Sequence, residues 1–423
     1  MISPPPLPDR RNGSIDRAAE SADEIQLIQS GNGPGQRDLV KTSANTEKIV
    51  DAPSLIEISR PLLPSAESLY PYLQRMDAAR RYSNFGPLVA EFEQRLGERL
   101  PRGTGVVTGV NATQLLTLAL QTLDCSEGTY CILPSWTFVA TAHAVVAAGL
   151  IPYFVDVTEA DGELTPEIAS EAVEKIGGPV GCIMPVMPFG AWIDVAAWAD
   201  FRARTGVPVI VDGAAGFDSL RSAEVPVVVS LHATKVLGVG EGGFIASTEA
   251  GFLEGVRQRS NFGFRGNRTA EVTSTNAKMS EYSAAVGLAG LDSWSASRLK
   301  WLLSATKLRA ALDKIPTVRF QPGWGLTWVS STCVVRLDPK MRNHVDDVFK
   351  DRGVSMRNWW GIGCHAEVAF KDMRRSDLPN TVSWAESSVG LPYYPDLSHQ
   401  DAEDVASALM AAAFRVEKGS DAS

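Results

Sequence analysis

The residues of this sequence best suited to chemistry are an aspartate and a lysine that each follow an apolar segment. The segment 207–211 predicts a buried strand that ends at Asp212, and the segment 226–230 predicts another that ends at Ser230. Lys235 stands in the short loop after the second strand, 23 positions beyond Asp212. A lysine amine can bond to an aldehyde, and a carboxylate can keep a pyridine nitrogen protonated so that the ring accepts electrons. The pair therefore predicts a pyridoxal 5'-phosphate (PLP) site, with Ser230 placed to hold the cofactor's phosphate.

Each of these residues also has a common structural explanation. A lysine after a strand is usually a solvated loop residue, and a single aspartate at a strand end usually caps a helix. The combination favours chemistry, because the run Gly240-Glu241-Gly242-Gly243 follows Lys235 directly and leads into another predicted strand at 243–247. Each part of the pattern then explains the position of the next.

Composition and charge exclude several classes of protein. A chain of 423 residues is too long for one ordinary core, and 44% hydrophobic with 21% charged residues is typical of a soluble globular protein. The net charge of −9 argues against a nucleic-acid partner, and the sequence has neither an apolar run of about 18 residues nor a secretory signal. The five cysteines form no CxxC pair and the five histidines are dispersed. We therefore expect a cytoplasmic protein with no membrane partner and no metal site.

The first 54 residues differ from the rest of the chain. No aromatic residue precedes Tyr70, while Pro, Gly, Ser, Asn and Asp are frequent in this segment. Such a segment buries too little apolar surface to offset its ordering entropy, so residues 1–54 are predicted to be a disordered tail. The alternative is an arm that packs on a neighbouring subunit.

Strands and helices alternate through the next part of the chain. Strands are predicted at 105–108, 130–133, 151–157, 181–186, 207–212, 226–230 and 243–247, with helices at 113–123, 139–148, 166–176 and 195–205. This rhythm predicts an α/β fold with a mainly parallel sheet, whose ligands sit at the carboxyl ends of the strands. A long helical stretch is predicted from about 280 to 315. We expect a large PLP-binding domain at 55–290 and a smaller α+β C-terminal domain at 291–423.

Two further segments have residue types that suit a cofactor phosphate and a cofactor ring. Residues 111–114 lie between a strand and a helix, where backbone N–H groups and the Thr113 hydroxyl form an anion site. A plain helix cap is the alternative. Phe138 opens the next helix, where an aromatic ring can stack on a pyridine ring or simply join the core. Near the other end of the chain, the segment 357–360 with His365 either covers a substrate or forms a packed surface cluster.

Seven fragments in this order resemble the DegT/DnrJ/EryC1/StrS family of nucleotide-sugar aminotransferases, PLP enzymes of fold type I. They are residues 82–88 (YSNFGPL), 134–142 (PSWTFVATA), 154–157 (FVDV), 211–215 (VDGAA), 230–235 (SLHATK), 240–243 (GEGG) and 279–281 (MSE). The resemblance covers about residues 56 to 400. It implies a fold type I transferase, a homodimer with active sites at the subunit interface, and an amino group moved, with glutamate as donor, to a nucleotide-linked keto sugar.

The resemblance also implies roles for individual residues. Lys235 corresponds to the lysine that bonds PLP, and Asp212 to the partner of its pyridine nitrogen. The phosphate-binding positions are Ala112, Thr113 and Ser230, and the ring-stacking position is Phe138. Asn261 matches an asparagine that reaches the phosphate from the other subunit.

The sequence departs from the family pattern at three positions. Ala215 replaces the usual Gln or His that contacts the cofactor's phenolic oxygen, Ala112 stands where Gly is common, and Leu231 replaces an aromatic residue. These departures raise a rival interpretation, a non-catalytic PLP-binding sensor or degenerate partner subunit. A second rival is another fold type I reaction, such as a β-elimination.

Overall fold

The computed structural model describes residues 55–420, with side chains for residues 55–416. The tail predicted for residues 1–54 lies outside the described residues. The helices are α1 (Ala66–Ala79), α2 (Pro87–Gly97), α3 (Ala112–Thr122), α4 (Val139–Ala147), α5 (Pro166–Lys175), α6 (Val195–Thr205), α7 (Ala250–Arg259), α8 (Glu281–Asp292), α9 (Trp294–Leu312), α10 (Pro339–Asp351), α11 (Pro379–Ser387) and α12 (His399–Ser420). The strands are β1 (Gly105–Gly109), β2 (Tyr130–Pro134), β3 (Ile151–Val155), β4 (Val180–Ile183), β5 (Val211–Asp212), β6 (Val227–Ser230), β7 (Gly243–Ser247), β8 (Arg319–Phe320), β9 (Cys333–Arg336) and β10 (Ser388–Leu391).

A three-stranded group, β3-β2-β4, and a four-stranded group, β5-β6-β7-β1, are joined by isolated bridges into one continuous sheet. Within it, β2 pairs in parallel with β3 and β4, and β5 pairs in parallel with β6. Parallel bridges from Ile183 to Val209 and from Val186 to Asp212 join β4 to the segment of β5. β7 lies between β6 and β1 and runs antiparallel to both. The predicted α/β fold with a mainly parallel sheet is confirmed.

The sheet separates two hydrophobic cores. Along β6, Val227 and Val229 pack into one buried cluster, while Val228 between them packs into the other. Successive side chains of a strand point to opposite faces, so this alternation means that β6 is covered on both sides. The apolar run of β6 reflects that position and brings Ser230 to the edge where the strand ends.

A second, antiparallel sheet lies in the C-terminal part of the chain. It has the order β10-β9-β8, and α10 and α9 both pack against α12. The helical stretch predicted at 280–315 is two helices, since α8 ends and α9 begins at Ser293, whose hydroxyl donates to the carbonyl of Ala289 at 3.2 Å. The predicted boundary at residue 290 falls within α8, and the domain limits stay predictions.

Most predicted strands agree with the observed ones, with shorter ends. The strand predicted at 207–212 has a ladder only at Val211–Asp212, and Val209 makes an isolated bridge instead. Within residues 55–420, no helix is both long and apolar enough to cross a membrane. The same part of the chain holds no group of three or more His, Cys, Asp or Glu side chains arranged to hold a metal ion.

Candidate active site

Asp212 and Lys235 meet at the carboxyl edge of the parallel sheet. Asp212 ends β5 and is 5% exposed, while Lys235 is partly buried in the loop after β6. Burial raises the pKa of Asp212, and hydrogen bonds from Thr141 and Ala214 and the charge of Lys235 act against that rise. Burial likewise lowers the pKa of Lys235, against the charge of Asp212. The structure therefore brings together the two predicted reactive groups, each shifted towards its neutral form.

The Asp212 carboxylate is held by a neighbouring helix. The hydroxyl of Thr141 in α4 donates to Oδ2 of Asp212 at 2.8 Å, and the backbone N–H of Ala214 donates to Oδ1 at 3.0 Å. Thr137, one turn earlier, lies 2.7 Å from Thr141 through the two hydroxyl oxygens. Since Thr141 donates to the carboxylate, Thr137 is the donor in that second bond. These two threonines position the carboxylate, and the sequence did not predict that role.

Removal of the Thr141 hydroxyl is expected to weaken the hold on a PLP ring. In Thr141→Val the carboxylate of Asp212 loses a donated hydrogen bond, so its pKa rises. The ionised form that pairs with a protonated pyridine nitrogen then exists only at higher pH. We expect about tenfold weaker PLP affinity near neutral pH, and an acid limb of the affinity profile that moves to higher pH. Equilibrium PLP titrations across pH measure both effects.

Thr137→Val provides the matched control for this prediction. Its hydroxyl contacts Thr141 and not Asp212, so the acid limb should move less than in Thr141→Val. Identical profiles for Thr141→Val and the wild type would show that the threonine does not tune the carboxylate.

The residues predicted to bind a phosphate flank Gly243. In the sheet register, Gly243 of β7 stands opposite Ser230 on one side and Gly109 on the other. A Cβ on Gly243 would lie 2.8 Å from the backbone nitrogen of Ala112, so the strand passes directly against the start of α3. Neighbouring strands lie about 5 Å apart. Ser230 and the α3 N-terminus are therefore close enough to hold one anion between them.

The start of α3 keeps backbone donors free for that anion. The Asn111 side chain caps the helix by accepting the N–H of Gln114 at 2.8 Å. The N–H groups of Ala112 and Thr113 have no intrahelical acceptor, as in any first turn of a helix. Ser230 accepts the backbone N–H of His232 at 3.2 Å, and so its own hydroxyl proton is available to a ligand. Two backbone donors and one hydroxyl donor thus face a site that favours negative charge.

The side chain of Phe138 is available at the surface of this site. Phe138 is the N-cap residue of α4. It is 57% exposed to solvent, which is unusual for a large aromatic residue. It lies one helical turn before Thr141, on the helix that contacts Asp212. The position suits a ring that stacks on a ligand at Asp212.

His232 is engaged within its own loop. Its Nδ1 lies 2.9 Å from the Thr234 hydroxyl and accepts the Thr234 backbone N–H at 3.3 Å. Its Nε2 lies 3.6 Å from a carboxylate oxygen of Glu241. These contacts shape the loop that carries Lys235.

Comparison with known proteins identifies the class of enzyme. The model of the DegT/DnrJ/EryC1/StrS aminotransferase family matches residues 66–410. The chain belongs to this family. It is similar to the dTDP-4-amino-4,6-dideoxy-D-glucose transaminase of Shigella dysenteriae, with 33% identity over 245 residues, which are 56% of this chain and 65% of that enzyme.

Solved structures of this DegT/DnrJ/EryC1/StrS fold agree. One neighbour is a putative PLP-dependent aminotransferase from Bacillus cereus ATCC 10987, with a TM-score of 0.79, 27% identity, and coverage of 84% of this chain and 100% of that one. Another is DesI, solved in the presence of its TDP-sugar product, with a TM-score of 0.77, 27% identity, and coverage of 87% and 95%. The prediction of a fold type I transferase is confirmed. The cofactor of this chain is PLP, as predicted.

The residues present fit that cofactor. A buried carboxylate for the ring nitrogen, an amine beside it and a helix N-terminus beside a strand-end hydroxyl supply what the ring, aldehyde and phosphate need. At the Ala215 departure the backbone is tightly packed. Gly190 has φ +94°, and a Cβ on it would lie 2.5 Å from the Ala215 carbonyl oxygen, so the loop after β4 packs closely on this segment. The methyl group of Ala215 offers no hydrogen bond to a cofactor oxygen.

Backbone hydrogen bonds connect the neighbour of Asn261 to the segment predicted to bind the phosphate. Asn261 follows α7, and the carbonyl of its neighbour Ser260 accepts the N–H of Ala277 at 2.9 Å. The carbonyl of Ala277 in turn accepts the N–H of Val110, at the turn into α3, at 2.9 Å. The contact of Asn261 with the cofactor phosphate of a partner subunit stays a prediction, since one chain is described.

Proposed function

We propose that this chain is a PLP-dependent aminotransferase that moves an amino group from glutamate to the keto group of a nucleotide-linked sugar. The observation that carries the proposal is that Lys235 lies near enough to the buried Asp212 for each charge to act on the other's pKa, in a member of an aminotransferase family. The substrate class rests on two similar proteins whose names include a dTDP or TDP sugar. No feature of the described residues favours the sensor or the β-elimination over this reaction.

Lys235 has two tasks in this proposal. PLP supplies an aldehyde that bonds amines and a ring that takes up electrons from the bond being broken. The Lys235 amine would hold the cofactor through that aldehyde until the donor amine takes its place. The released Lys235 amine would then move a proton between the donor Cα and the cofactor C4′. Because burial lowers its pKa, more of the amine is neutral and able to accept the proton near neutral pH.

The surrounding residues hold the cofactor. We assign the pyridine nitrogen to Asp212, whose ionised form keeps the ring protonated, with Thr141 to orient the carboxylate. The phosphate goes to the backbone of Ala112 and Thr113 and to the hydroxyl of Ser230, at a helix N-terminus that favours anions. Phe138 stacks on the face of the ring.

We further propose a cytoplasmic homodimer in which Asn261 reaches the partner's cofactor phosphate. Loss of a hydrogen bond to an anion is worth about 1.5–3 kcal/mol, so Asn261→Ala should weaken PLP affinity about 10- to 100-fold. A heterodimer of one Asn261→Ala chain and one Lys235→Ala chain tests the crossing. If the asparagine crosses, one site has both lesions and the other is intact.

The heterodimer should then keep about half the wild-type activity, with wild-type PLP affinity at the live site. If Asn261 acts within its own chain, the only site with a lysine also lacks the asparagine. A weakened PLP affinity of the remaining activity would therefore reject the shared site.

The sugar-nucleotide substrate can be identified by testing a panel of candidate compounds. The pyridoxamine form of the enzyme is mixed with keto sugars linked to different nucleotides, and the amino sugar is detected by mass spectrometry. The proposal expects one sugar nucleotide to be aminated with one product per active site. Failure of every keto sugar nucleotide, with amination of free keto acids only, would contradict the substrate class.

A further inference from the structure

A pocket at the surface is lined by two arginines whose positive charge is not balanced by acids. The two are Arg99, just after the end of α2, and Arg221, in the segment after β5, and both are exposed. The rest of the lining is apolar and consists of Leu96, Leu100, Phe217, Leu220 and Phe244. None of these residues is among those assigned to the PLP site, so the pocket is a separate feature of the molecule.

The guanidinium of Arg99 has no hydrogen-bond acceptor among the described residues. It lies over the ring of Phe217, 4.4 Å from the centroid, and over the ring of Trp294 at 5.4 Å. These cation–π contacts hold the side chain in place, but they satisfy none of its five N–H groups. Burial against the rings lowers the pKa of Arg99. Because arginine stays protonated in proteins, the charge persists there without a partner.

The acid nearest in effect to Arg99 is already engaged. Among the described residues, Asp218 is the one carboxylate whose charge raises the pKa of Arg99, whereas the charges of Arg221 and Arg298 lower it. Asp218 accepts Arg298 Nε at 2.7 Å through Oδ1 and the backbone N–H of Val329 at 2.9 Å through Oδ2. Three guanidinium groups therefore surround one paired carboxylate, and the pocket keeps a net positive charge.

The second arginine of the pocket is held by its own segment. Nη1 of Arg221 donates to the carbonyl of Asp218 at 2.5 Å and to the carbonyl of Leu220 at 3.3 Å. Both bonds use Nη1, so the N–H groups of Nε and Nη2 are left for a ligand. The backbone thus fixes a second guanidinium at the pocket that Arg99 lines.

The size and lining of the pocket suit one phosphate group. The free volume is about 50 Å³. A water-sized group needs about 10–15 Å³, so the space holds roughly three to five such groups, and a phosphate has four oxygens. Guanidinium groups bind phosphate oxygens through paired, charge-assisted hydrogen bonds. The apolar walls strengthen this attraction, because opposite charges interact more strongly where water is excluded.

We infer that this pocket binds a phosphate group, with Arg99 and Arg221 as hydrogen-bond donors and counter-charges. The site is separate from the proposed reaction, since none of its residues has a role there. The phosphate group belongs either to inorganic phosphate or to a phosphorylated small molecule. The probe is inorganic phosphate, added to the PLP-loaded enzyme so that the cofactor already occupies its own phosphate site.

Two arginines at the same end of α2 provide a matched pair of variants. Arg99→Gln removes the guanidinium that has no acceptor. Arg95→Gln removes a guanidinium that donates to Asp292 at 2.8 Å. Each variant loses one positive charge, so a general effect of net charge on anion binding would be equal in the two.

Calorimetric titration of phosphate at low salt gives the affinity, and thermal unfolding with and without phosphate gives the stabilisation by the ligand. We expect Arg99→Gln and Arg221→Gln each to bind phosphate at least tenfold more weakly than the wild type. Arg95→Gln should bind phosphate with the wild-type affinity. Phosphate should raise the Tm of the wild type and of Arg95→Gln, and leave the Tm of Arg99→Gln nearly unchanged.

Equal phosphate affinity in Arg99→Gln and the wild type would overturn the inference, and so would an equal loss of affinity in Arg95→Gln. A wild-type enzyme that binds no phosphate, or that binds acetate as tightly as phosphate, would also overturn it.

A titration of phosphate in the presence of saturating dTDP distinguishes the two sources of the group. An unchanged phosphate affinity supports inorganic phosphate at a site of its own. Displacement of phosphate by dTDP, together with weaker dTDP binding in Arg99→Gln, supports the same pocket with a phosphorylated small molecule as its ligand. No turnover is measured, so failure of the amination assay and failure of phosphate binding are separate results.

Discussion

Replacement of Lys235 by alanine is expected to abolish transamination while the chain stays folded. In the proposed reaction the lysine supplies the bond to PLP and a proton-transfer group, and its side chain is only partly buried. Loss of a positioned proton-transfer group alone costs roughly 10²–10⁴ in rate. The variant should bind PLP without the visible absorbance band of a lysine-bound cofactor. Absorbance spectra and single-turnover rates with glutamate measure the two losses.

Lys235→Arg is the control that separates charge from reactivity. Arginine keeps a positive charge near Asp212, but its guanidinium stays protonated in proteins and cannot bond the aldehyde. We expect this variant to be as inactive as Lys235→Ala. Wild-type turnover in Lys235→Ala, or substantial activity in Lys235→Arg, would remove Lys235 from the reaction.

Asp212→Asn is expected to slow both halves of the reaction and to weaken PLP binding. The amide keeps the shape of the side chain but not the charge that, in the proposed function, keeps the pyridine nitrogen protonated. Removal of one preorganised electrostatic contact typically costs roughly 10²–10³ in rate. Since burial raises the pKa of Asp212, the ionised carboxylate is a cost to the fold near neutral pH. The PLP-free variant should therefore have an unchanged or higher Tm.

Asp218→Asn is the matched control, because it changes a second buried aspartate in the same segment. Asp218 pairs with Arg298 at 2.7 Å and accepts the Val329 N–H at 2.9 Å. Its loss should lower the Tm and leave the rate of each half-reaction near the wild-type value. If Asp212→Asn instead resembled Asp218→Asn, with a lower Tm and normal rates, Asp212 would be a structural residue.

The strand-end positions of the site were predictable because they follow from local pattern. The apolar run before Ser230 is buried on both faces of the sheet. β7 begins at Gly243, the residue predicted from the glycine-rich run 240–243. Helix α6 was predicted at its observed bounds for a similar reason. Asp194 caps its first turn, and Gly206 ends it in the left-handed conformation. The structural role of such residues can be predicted from the few positions around them.

The positioning residues needed tertiary structure. Thr141 contacts a carboxylate 71 positions away, and only the phase of α4 against β5 decides that its hydroxyl faces Asp212. The sequence shows that the threonines at 137 and 141 are spaced one helical turn apart. That spacing does not show which residue their hydroxyl groups contact. The segment 357–360 depends likewise on tertiary structure, because Arg357 bridges to Gly390 of β10. The sequence alone therefore left two interpretations of residues 357–360 with His365.

The most direct test of the proposed reaction is one absorbance experiment with the PLP-loaded enzyme. Addition of glutamate should remove the visible band of the lysine-bound cofactor and release about one 2-oxoglutarate per active site. Addition of a nucleotide-linked keto sugar should then restore the band and yield the amino sugar. A band that does not respond to glutamate, or release of pyruvate-like products from small amino acids, would contradict the account.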